Sequence, residues 1–445
     1  LSSWTEAGVK NTRARNLILF GGFACVAASS VWGIFYASKS YWCLFGINLV
    51  TVSAGLAMIF LSFGNHIRFA GIIMAHALVF TVTMSSLSDV PVDALPRSVY
   101  MNMLPVSAAI FFLFNREGIY LRVILPVLSL LIFLAFSINV PQLSHFELIA
   151  PVPPSMAGVW INNITGIVAT AIVAVMMQAN INARRTMESD MRRGIARGEF
   201  HLHYQPQADR HGAVFGVEAL LRWNHSARGN VSPMEFIPLA EETGLVIPIG
   251  DWVLRMACAQ LVQWSKSPET AHLTIAVNVS AVQFRQPDFV EQVKSIVLVS
   301  GARPEGLKLE LTESALAEDP DVVLERMQAL RDFGIQWSLD DFGTGYSSLS
   351  SLKRFPFDQI KIDQSFIRDL LADGRNMAIV DTIIRLAQSL DLAIIAEGVE
   401  TEAQLKALHA AGCPHYQGYL FGKPLPAAEL DKIFLSERKA VRAFG

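Results

Sequence analysis

The chain has 445 residues, 52% hydrophobic and only 17% charged; that length suits about two to three domains, and the apolar share is too high for ordinary soluble domains alone. A net charge of -3 leaves no electrostatic footprint for a nucleic-acid polymer. Cys25, Cys43, Cys258 and Cys413 form no CxxC pair, which argues against a disulfide framework and leaves four thiols expected to be isolated and buried.

Charge is unevenly spread. From Gly21 to Ser88 only Lys39 and Arg68 carry a formal charge, whereas beyond Arg184 charges occur throughout. Six apolar stretches read as bilayer spans, at 16–36, 41–63, 68–88, 99–115, 119–139 and 156–181, the fourth being short. Because several similar stretches follow, the run from Leu17 reads as a first span rather than a cleaved signal peptide. Lys10, Arg13, Arg15, Arg68, Arg116, Arg184 and Arg185 then fall on one side, which the positive-inside rule assigns to the cytoplasm, with both termini inside.

Two features within the spans invite a role. His76 lies near the middle of the third span, where an ionisable residue is costly; with His66 it is a candidate haem or metal ligand, and the competing reading is a neutral imidazole bonded to a neighbouring helix. Asn162 and Asn163 in the last span are expected to bond between helices. From Ile172 onward no Pro or Gly interrupts the chain until Gly194, so the last span is expected to continue into a stiff connector.

The remainder alternates strand-like and helix-like segments. "FHLHYQPQAD", "FGVEALLRW", "LTIAVNVS", "LKLELTES", "QWSLDDFG", "QIKID", "AIIAEGVE" and "HYQGYLFGKPL" read as strands separated mostly by amphipathic helices. Repeated βα units over this length favour a (β/α)8 barrel over an open doubly wound sheet. Neither GxGxxG after the first strand nor GxxxxGK[ST] occurs, which disfavours folds built on those phosphate loops.

Polar residues recur where the strands end: Glu218, Asn278, Glu310 with Glu313, Asp340 with Asp341, Lys361, Glu397 and Gln417. In a barrel these positions meet at one mouth. Acids converging there repel strongly unless compensated. Oxygen donors and one amide, without His or Cys, point to Mg²⁺ or Mn²⁺, and a pair of such ions suits displacement at phosphorus. The adjacent aspartates could serve such a site if the strand ends between them, with Gly343 and Gly345 allowing a sharp turn. His201, His203 and His225 are read as surface or core residues.

"EALLRW", "NVS", "ELTES", "DDFGTGYSSL", "KID", "EGVE" and "QGYLFGKPL" stand in the order and approximate spacing of the EAL-domain cyclic di-GMP phosphodiesterases, and the resemblance covers residues 190–438. It implies a TIM-barrel-like EAL domain in which Glu218, Asn278, Glu310, Asp340, Asp341 and Glu397 hold two divalent cations. It further implies that Lys361 bonds the attacking water, that Glu397 is ligand, base or both, and that Glu313 anchors the loop after Asp341. Arg222 would contact a substrate phosphate, Gln205 and Leu220 would line the nucleotide cleft, and Gln417 would support the site.

The implied reaction is hydrolysis of cyclic di-GMP to linear pGpG. The implied organisation is a six-span sensory domain at 1–181, a connector helix at 182–196 and an EAL domain at 197–445. The protein is then expected in a bacterial inner membrane, as a homodimer paired through the region after the double aspartate. Its barrel would lie in the cytoplasm. Alternatives are a catalytically silent cyclic di-GMP receptor and a transporter or channel with a regulatory tail. No diguanylate cyclase segment is recognised between spans and barrel.

Overall fold

The computed structural model describes residues 8–64, 66–89, 96–114, 117–138, 156–316, 319–343, 349–372 and 374–434. Arg116, Gly345 and the segment 344–348 expected to take part in dimerisation lie outside them. Two compact units are present, Leu1–Thr186 and Met187–Gly445.

The first unit is helical: α1 (Gly8–Ser38), α2 (Trp42–Phe63), α3 (Ile67–Ser88), α4 (Met103–Leu113), α5 (Leu125–Ser137) and α6 (Met156–Arg197). A 3₁₀ turn, Val99–Asn102, leads into α4, and a π turn, Tyr120–Ile124, leads into α5. Among the described residues, five helical stretches are long and apolar enough to cross a membrane. The expected fourth span is instead the shorter stretch Val99–Leu113, which at about 1.5 Å per residue falls short of a hydrocarbon core of about 30 Å.

Several polar groups in this unit find partners, as an apolar surrounding favours, while Ser62 Oγ, Ser86 Oγ, Arg68 Nε and Arg97 Nε are buried without a hydrogen-bond partner among the described residues. Thr51 and Thr81 join α2 to α3 through their hydroxyls at 2.5 Å. The Asn162 amide donates to Ser98 Oγ at 3.0 Å, a bond between helical segments of the kind expected. His76 uses both ring nitrogens, on Ile72 O at 2.9 Å and Tyr120 Oη at 3.0 Å. That is the inter-helix bond of the blander reading, and it leaves no ring nitrogen to a metal without breaking one of the two bonds.

The second unit is a closed barrel. Its strands are β1 (Phe200–Asp209), β2 (Val214–His225), β3 (Gly229–Val231), β4 (Thr274–Asn278), β5 (Leu307–Thr312), β6 (Gln336–Phe342), β7 (Gln359–Ile362), β8 (Ala393–Ala396) and β9 (His415–Gln417). Hydrogen bonding runs β1-β9-β8-β7-β6-β5-β4-β2, and a further β1–β2 pairing closes the ring of eight strands; β3 only extends β2 as a hairpin. β1 is antiparallel to both neighbours, so the barrel departs from an all-parallel (β/α)8 arrangement at one strand. The short hairpin between β1 and β2, closed at Gly212, forces this, because parallel neighbours need a crossover of a dozen residues or more.

Strand alternation sorts the side chains. On β5, Leu307, Leu309 and Leu311 join the hydrophobic core, while Lys308 and Glu310 face across the barrel to Gln359 and Lys361. Helical side chains such as Leu254, Val293, Met327 and Ile384 cover the outside. The last turns of α6 belong to this core through Met187 and Met191, and Gly194 lets the helix end close on Trp223 and Phe200.

Candidate active site

The antiparallel register of β1 sets Gln205 opposite Glu218 and Gln207 opposite Gln417. These four side chains meet at the closure of the barrel. Gln207 Nε2 donates to Gln417 Oε1 at 3.0 Å, and Gln417 Nε2 donates to Glu218 Oε2 at 2.5 Å and to Gln205 Oε1 at 3.2 Å. On the other side Asn278 Nδ2 donates to Glu218 Oε1 at 2.6 Å, leaving the Asn278 carbonyl oxygen as an acceptor.

Lys361 occupies the centre and is 1% exposed. Its Nζ lies 2.6 Å from Glu397 Oε1, 2.7 Å from Glu310 Oε2, 3.0 Å from Asp340 Oδ1 and 3.5 Å from Glu218 Oε2. Three N–H bonds cannot serve four carboxylates. Accordingly, Glu310 Oε1, Asp340 Oδ1 and Glu397 Oε1 are buried without a hydrogen-bond partner among the described residues; the latter two sit within ion-pair reach of Lys361 but outside hydrogen-bonding geometry.

The adjacent aspartates are placed by a bulge. β6 runs on through Phe342 rather than ending between them, and its register with β7 shifts between Leu339 and Phe342. An extended strand would point the two side chains to opposite faces. Instead Asp341 takes a left-handed φ of 53°, and ligand oxygens of Asp340, Asp341 and Glu397 come within 4.8 Å of one another. Such a conformation costs a non-glycine residue about 1 kcal/mol or more. Glu313 steadies the exit of the strand, since the Gly343 N–H donates to its Oε1 at 3.1 Å. Gly343 itself has φ 99°, and a Cβ there would lie 3.0 Å from the Phe366 ring.

Electrostatics follow from this crowding. Burial, Asp340 and Asp363 push the Asp341 carboxyl up to about 7. Burial, with Asp340 and Glu218 acting against Lys361, pushes Glu397 up to about 8. Glu310 is also driven upward, by burial first. At Glu218 burial is outweighed by Lys361, Gln417 and Asn278, and its carboxyl is held below the ordinary range. Burial works against the Lys361 charge too, but the surrounding acids outweigh it and raise its pKa.

Asp340, Asp341 and Glu397 are the group of acids among the described residues able to hold a metal ion. The carboxylate excess around Lys361, the orphaned oxygens and the absence of His or Cys from the cluster fit a hard divalent cation. At the 4.8 Å limit each carboxylate pair repels by roughly 3 kcal/mol in an effective dielectric of about 20, which a bound cation would offset.

Sequence reasoning named Glu218, Asn278, Glu310, Asp340, Asp341, Lys361, Glu397, Gln417 and Gln205, and the structure brings these together at one end of the barrel. Arg222 and Leu220 continue the inward face of β2 beyond Glu218, both half-buried. Gln207 was missed, although it stands two residues from Gln205, the strand period. Asp363, which caps the following turn through Ser365 N at 2.9 Å, was missed as a neighbour of Asp341. Deeper in the barrel, Lys308 and Ser338 both donate to Gln359 Oε1, at 2.9 and 3.3 Å. His225 accepts from the N–H groups of Ala227 and Arg228, both at 3.1 Å, and so shapes a turn. Burial pushes the Cys258 and Cys413 thiols up to about 11 and about 12, as expected of unreactive core thiols, whereas Cys25 is only half-buried and Cys43 is exposed, contrary to expectation.

A model of the EAL domain matches residues 188–424, more than half of the chain. The chain belongs to the EAL-domain family. Among its relatives is the bifunctional diguanylate cyclase/cyclic di-GMP phosphodiesterase MucR of Pseudomonas aeruginosa, 45% identical over 255 residues, 57% of this chain and 37% of MucR. Cyclic di-GMP phosphodiesterase NbdA of the same organism is 41% identical over 253 residues, 57% of this chain and 32% of NbdA. The matched part thus spans about a third of the length of these curated relatives. A solved structure described as PaMucR phosphodiesterase, c-di-GMP complex, superposes with a TM-score of 0.54 at 45% identity, covering 55% of this chain and 99% of that one. The EAL enzyme Bd1971, in its cAMP and cyclic-di-GMP bound form, gives a TM-score of 0.54 at 31% identity, covering 61% of this chain and 76% of that one. The barrel unit is the part that superposes on these solved structures.

Proposed function

We propose that this chain is a membrane-anchored, metal-dependent phosphodiesterase that hydrolyses cyclic di-GMP to linear pGpG, regulated by a signal received in its helical unit. The observation that carries the reading is the set of orphaned carboxylate oxygens around Lys361. Support comes also from the cyclic di-GMP complex of the relative that is 45% identical, and from the apolar helices for the anchoring.

Glu218, Asn278, Glu310, Asp340, Asp341 and Glu397 would hold two Mg²⁺ or Mn²⁺ ions. When bound, these supply Lewis-acid activation of water and neutralise charge on the phosphoryl oxygens. The remaining work falls to side chains. Lys361 stays charged and directs an N–H to the attacking water. Glu397, which a bound cation would require in its deprotonated form, would serve as ligand, as the base that takes the proton of that water, or as both. Arg222 contacts a substrate phosphate, and Gln205 and Leu220 line the guanine-nucleotide cleft. Gln417 bonds Glu218 and is itself held by Gln207, which fixes the Glu218 carboxylate in place.

Incubating the purified full chain with cyclic di-GMP and Mn²⁺, with product resolved by chromatography and binding measured in parallel, tests the reading. Appearance of pGpG supports it. Tight binding without pGpG would mean a silent receptor instead, and neither binding nor turnover would reject the cyclic di-GMP assignment.

A further inference from the structure

From Met187 on, the residues of α6 belong to the barrel unit. Met187 and Met191 enter its core, while Asp190 turns to the hairpin formed by β2 and β3. Its Oδ2 lies 3.4 Å from His225 Nε2 and 3.6 Å from a guanidinium nitrogen of Arg228. His225 Nδ1 accepts the N–H groups of Ala227 and Arg228, so the ring hydrogen is on Nε2 and faces the carboxylate. One acid on α6 thus holds both ends of the hairpin turn.

Glu199, just past the helix, ties the same parts together a second time. Its N–H donates to Gly194 O at 3.0 Å, its carbonyl accepts the Asn224 N–H at 2.9 Å, and its Oε2 accepts the Trp223 indole N–H at 3.1 Å. Trp223 is fully buried, stacked on Phe200 at 5.4 Å, with Phe236 edge-on at 5.4 Å and His225 at 5.3 Å. The end of α6 and residues 223–228 are therefore packed as one body, and a displacement of the helix is carried into them.

Between that body and the acid cluster lies a short, thinly supported piece of β2. Its pairing with β4 stops at Ala219, and β3 takes up that side again only at Trp223. Leu220, Leu221 and Arg222 have a strand on the β1 side alone, with His201 opposite Arg222, and an isolated two-stranded ribbon is marginal by itself. Arg222 shares the inward face with Leu220 and Glu218. Among the described residues its guanidinium hydrogen-bonds only Leu221 O, at 2.9 Å, so its place follows the backbone rather than an acid. Glu218, by contrast, is held by Asn278 and Gln417.

We propose that Asp190 is a positioning residue for the substrate: by holding the β2–β3 hairpin on the end of α6, it sets where Arg222 stands over the carboxylates and so sets the affinity for cyclic di-GMP. The inference rests on the reading above in which Arg222 contacts a substrate phosphate. Because the acids and Lys361 are fixed by bonds of their own, a loosened clamp shifts Arg222 and leaves the reacting groups in place; it acts on substrate binding and spares the chemical step. It also makes α6 an input to the site at a defined residue.

The test uses the full-length protein with Mn²⁺, measuring KM and kcat for cyclic di-GMP and, on an Asp340→Asn background, the Kd. Asp190→Ala should raise KM and Kd about tenfold while kcat stays within about threefold. Asp190→Glu, which keeps the charge, should recover part of the loss. The double variant Asp190→Ala/Arg222→Ala should bind no more weakly than Arg222→Ala alone, because one residue acts through the other. Arg228 is exposed, so Arg228→Ala tests the same clamp even if Asp190→Ala fails to fold. Unchanged KM and Kd in both clamp variants, a loss in kcat alone, or a loss that adds in full to that of Arg222→Ala would overturn the proposal. If the wild type binds cyclic di-GMP without forming pGpG, the phosphodiesterase reading falls and the Kd series still decides the role of Asp190; a wild type that does not bind it rejects both.

Discussion

Asp340 and Asp341 are consecutive in β6, yet the left-handed backbone at Asp341 turns ligand oxygens of both to within 4.8 Å of each other. Backbone conformation and charge are therefore two separable demands at this pair. Asp340→Asn keeps the backbone and removes charge beside Lys361; it is expected to leave the fold intact and to abolish hydrolysis of cyclic di-GMP. Normal turnover in that variant would contradict the role assigned to Asp340.

At Asp341 the two demands can be told apart by comparing substitutions. Asn tolerates the left-handed region better than Ala does, so Asp341→Asn should be more stable than Asp341→Ala by about 0.5–1 kcal/mol. Both should lose activity. Urea unfolding of the two variants side by side measures the first effect, and product formation the second.

Glu313 acts on the backbone rather than on the acids, through the Gly343 N–H. Glu313→Ala should loosen the exit of β6, lower turnover at least tenfold and raise the Mn²⁺ concentration needed for half activity, while Glu313→Gln, which keeps an acceptor oxygen, should recover part of the loss. A metal titration of activity distinguishes the two variants.

Asp341 and Glu397 have folded-state values of about 7 and about 8, well above ordinary carboxyls. In the metal-free protein the folded state then holds protons that the unfolded chain releases above about pH 4. Stability from these groups is present at low pH and is lost as pH rises through 7 and 8. Metal requires the deprotonated acids, so its stabilising effect has the opposite trend. Thermal melts should show the metal-free Tm falling from pH 5.5 to 8.5 and the Mn²⁺-induced rise in Tm growing over the same interval. A Mn²⁺ effect that shrinks with pH would speak against these protonation states.

Gly418, next to Gln417, has no room for a side chain: a Cβ would lie 2.1 Å from Val399 O. The Val399 N–H in turn bonds Gln417 O at 3.1 Å. Gly418→Ala should therefore separate β9 from the segment after β8, costing about 2–4 kcal/mol as a strained core substitution. Denaturant unfolding would show this as a lower midpoint with an unchanged slope.

Much of the fold was legible because period-two alternation in segments such as "LKLELT" and helical stripes between them leave few architectures. The antiparallel β1 was not, since strand direction there depends on the length of the turn at Gly212, while the repeated βα units elsewhere point to a uniformly parallel barrel. At the site, position toward the end of a strand was enough to pick out Glu310, Asp340 and Glu397, whereas Glu218 lies in the middle of β2 rather than at its expected end. The bulge at Asp341 was read instead as a strand end, because one inserted residue leaves no signature in composition. Gln207 and Asp363 escaped for a different reason: each acts by a hydrogen bond or charge on a neighbour, a relation fixed only by the register of strands far apart in sequence.

Of all measurements, activity of metal-stripped full-length protein during Mn²⁺ readdition bears most directly on the central claim. The account predicts no conversion of cyclic di-GMP after chelation, and pGpG formation restored by Mn²⁺ in the wild type but not in Asp340→Asn. Hydrolysis that persists without metal, or restoration in Asp340→Asn equal to wild type, would contradict it.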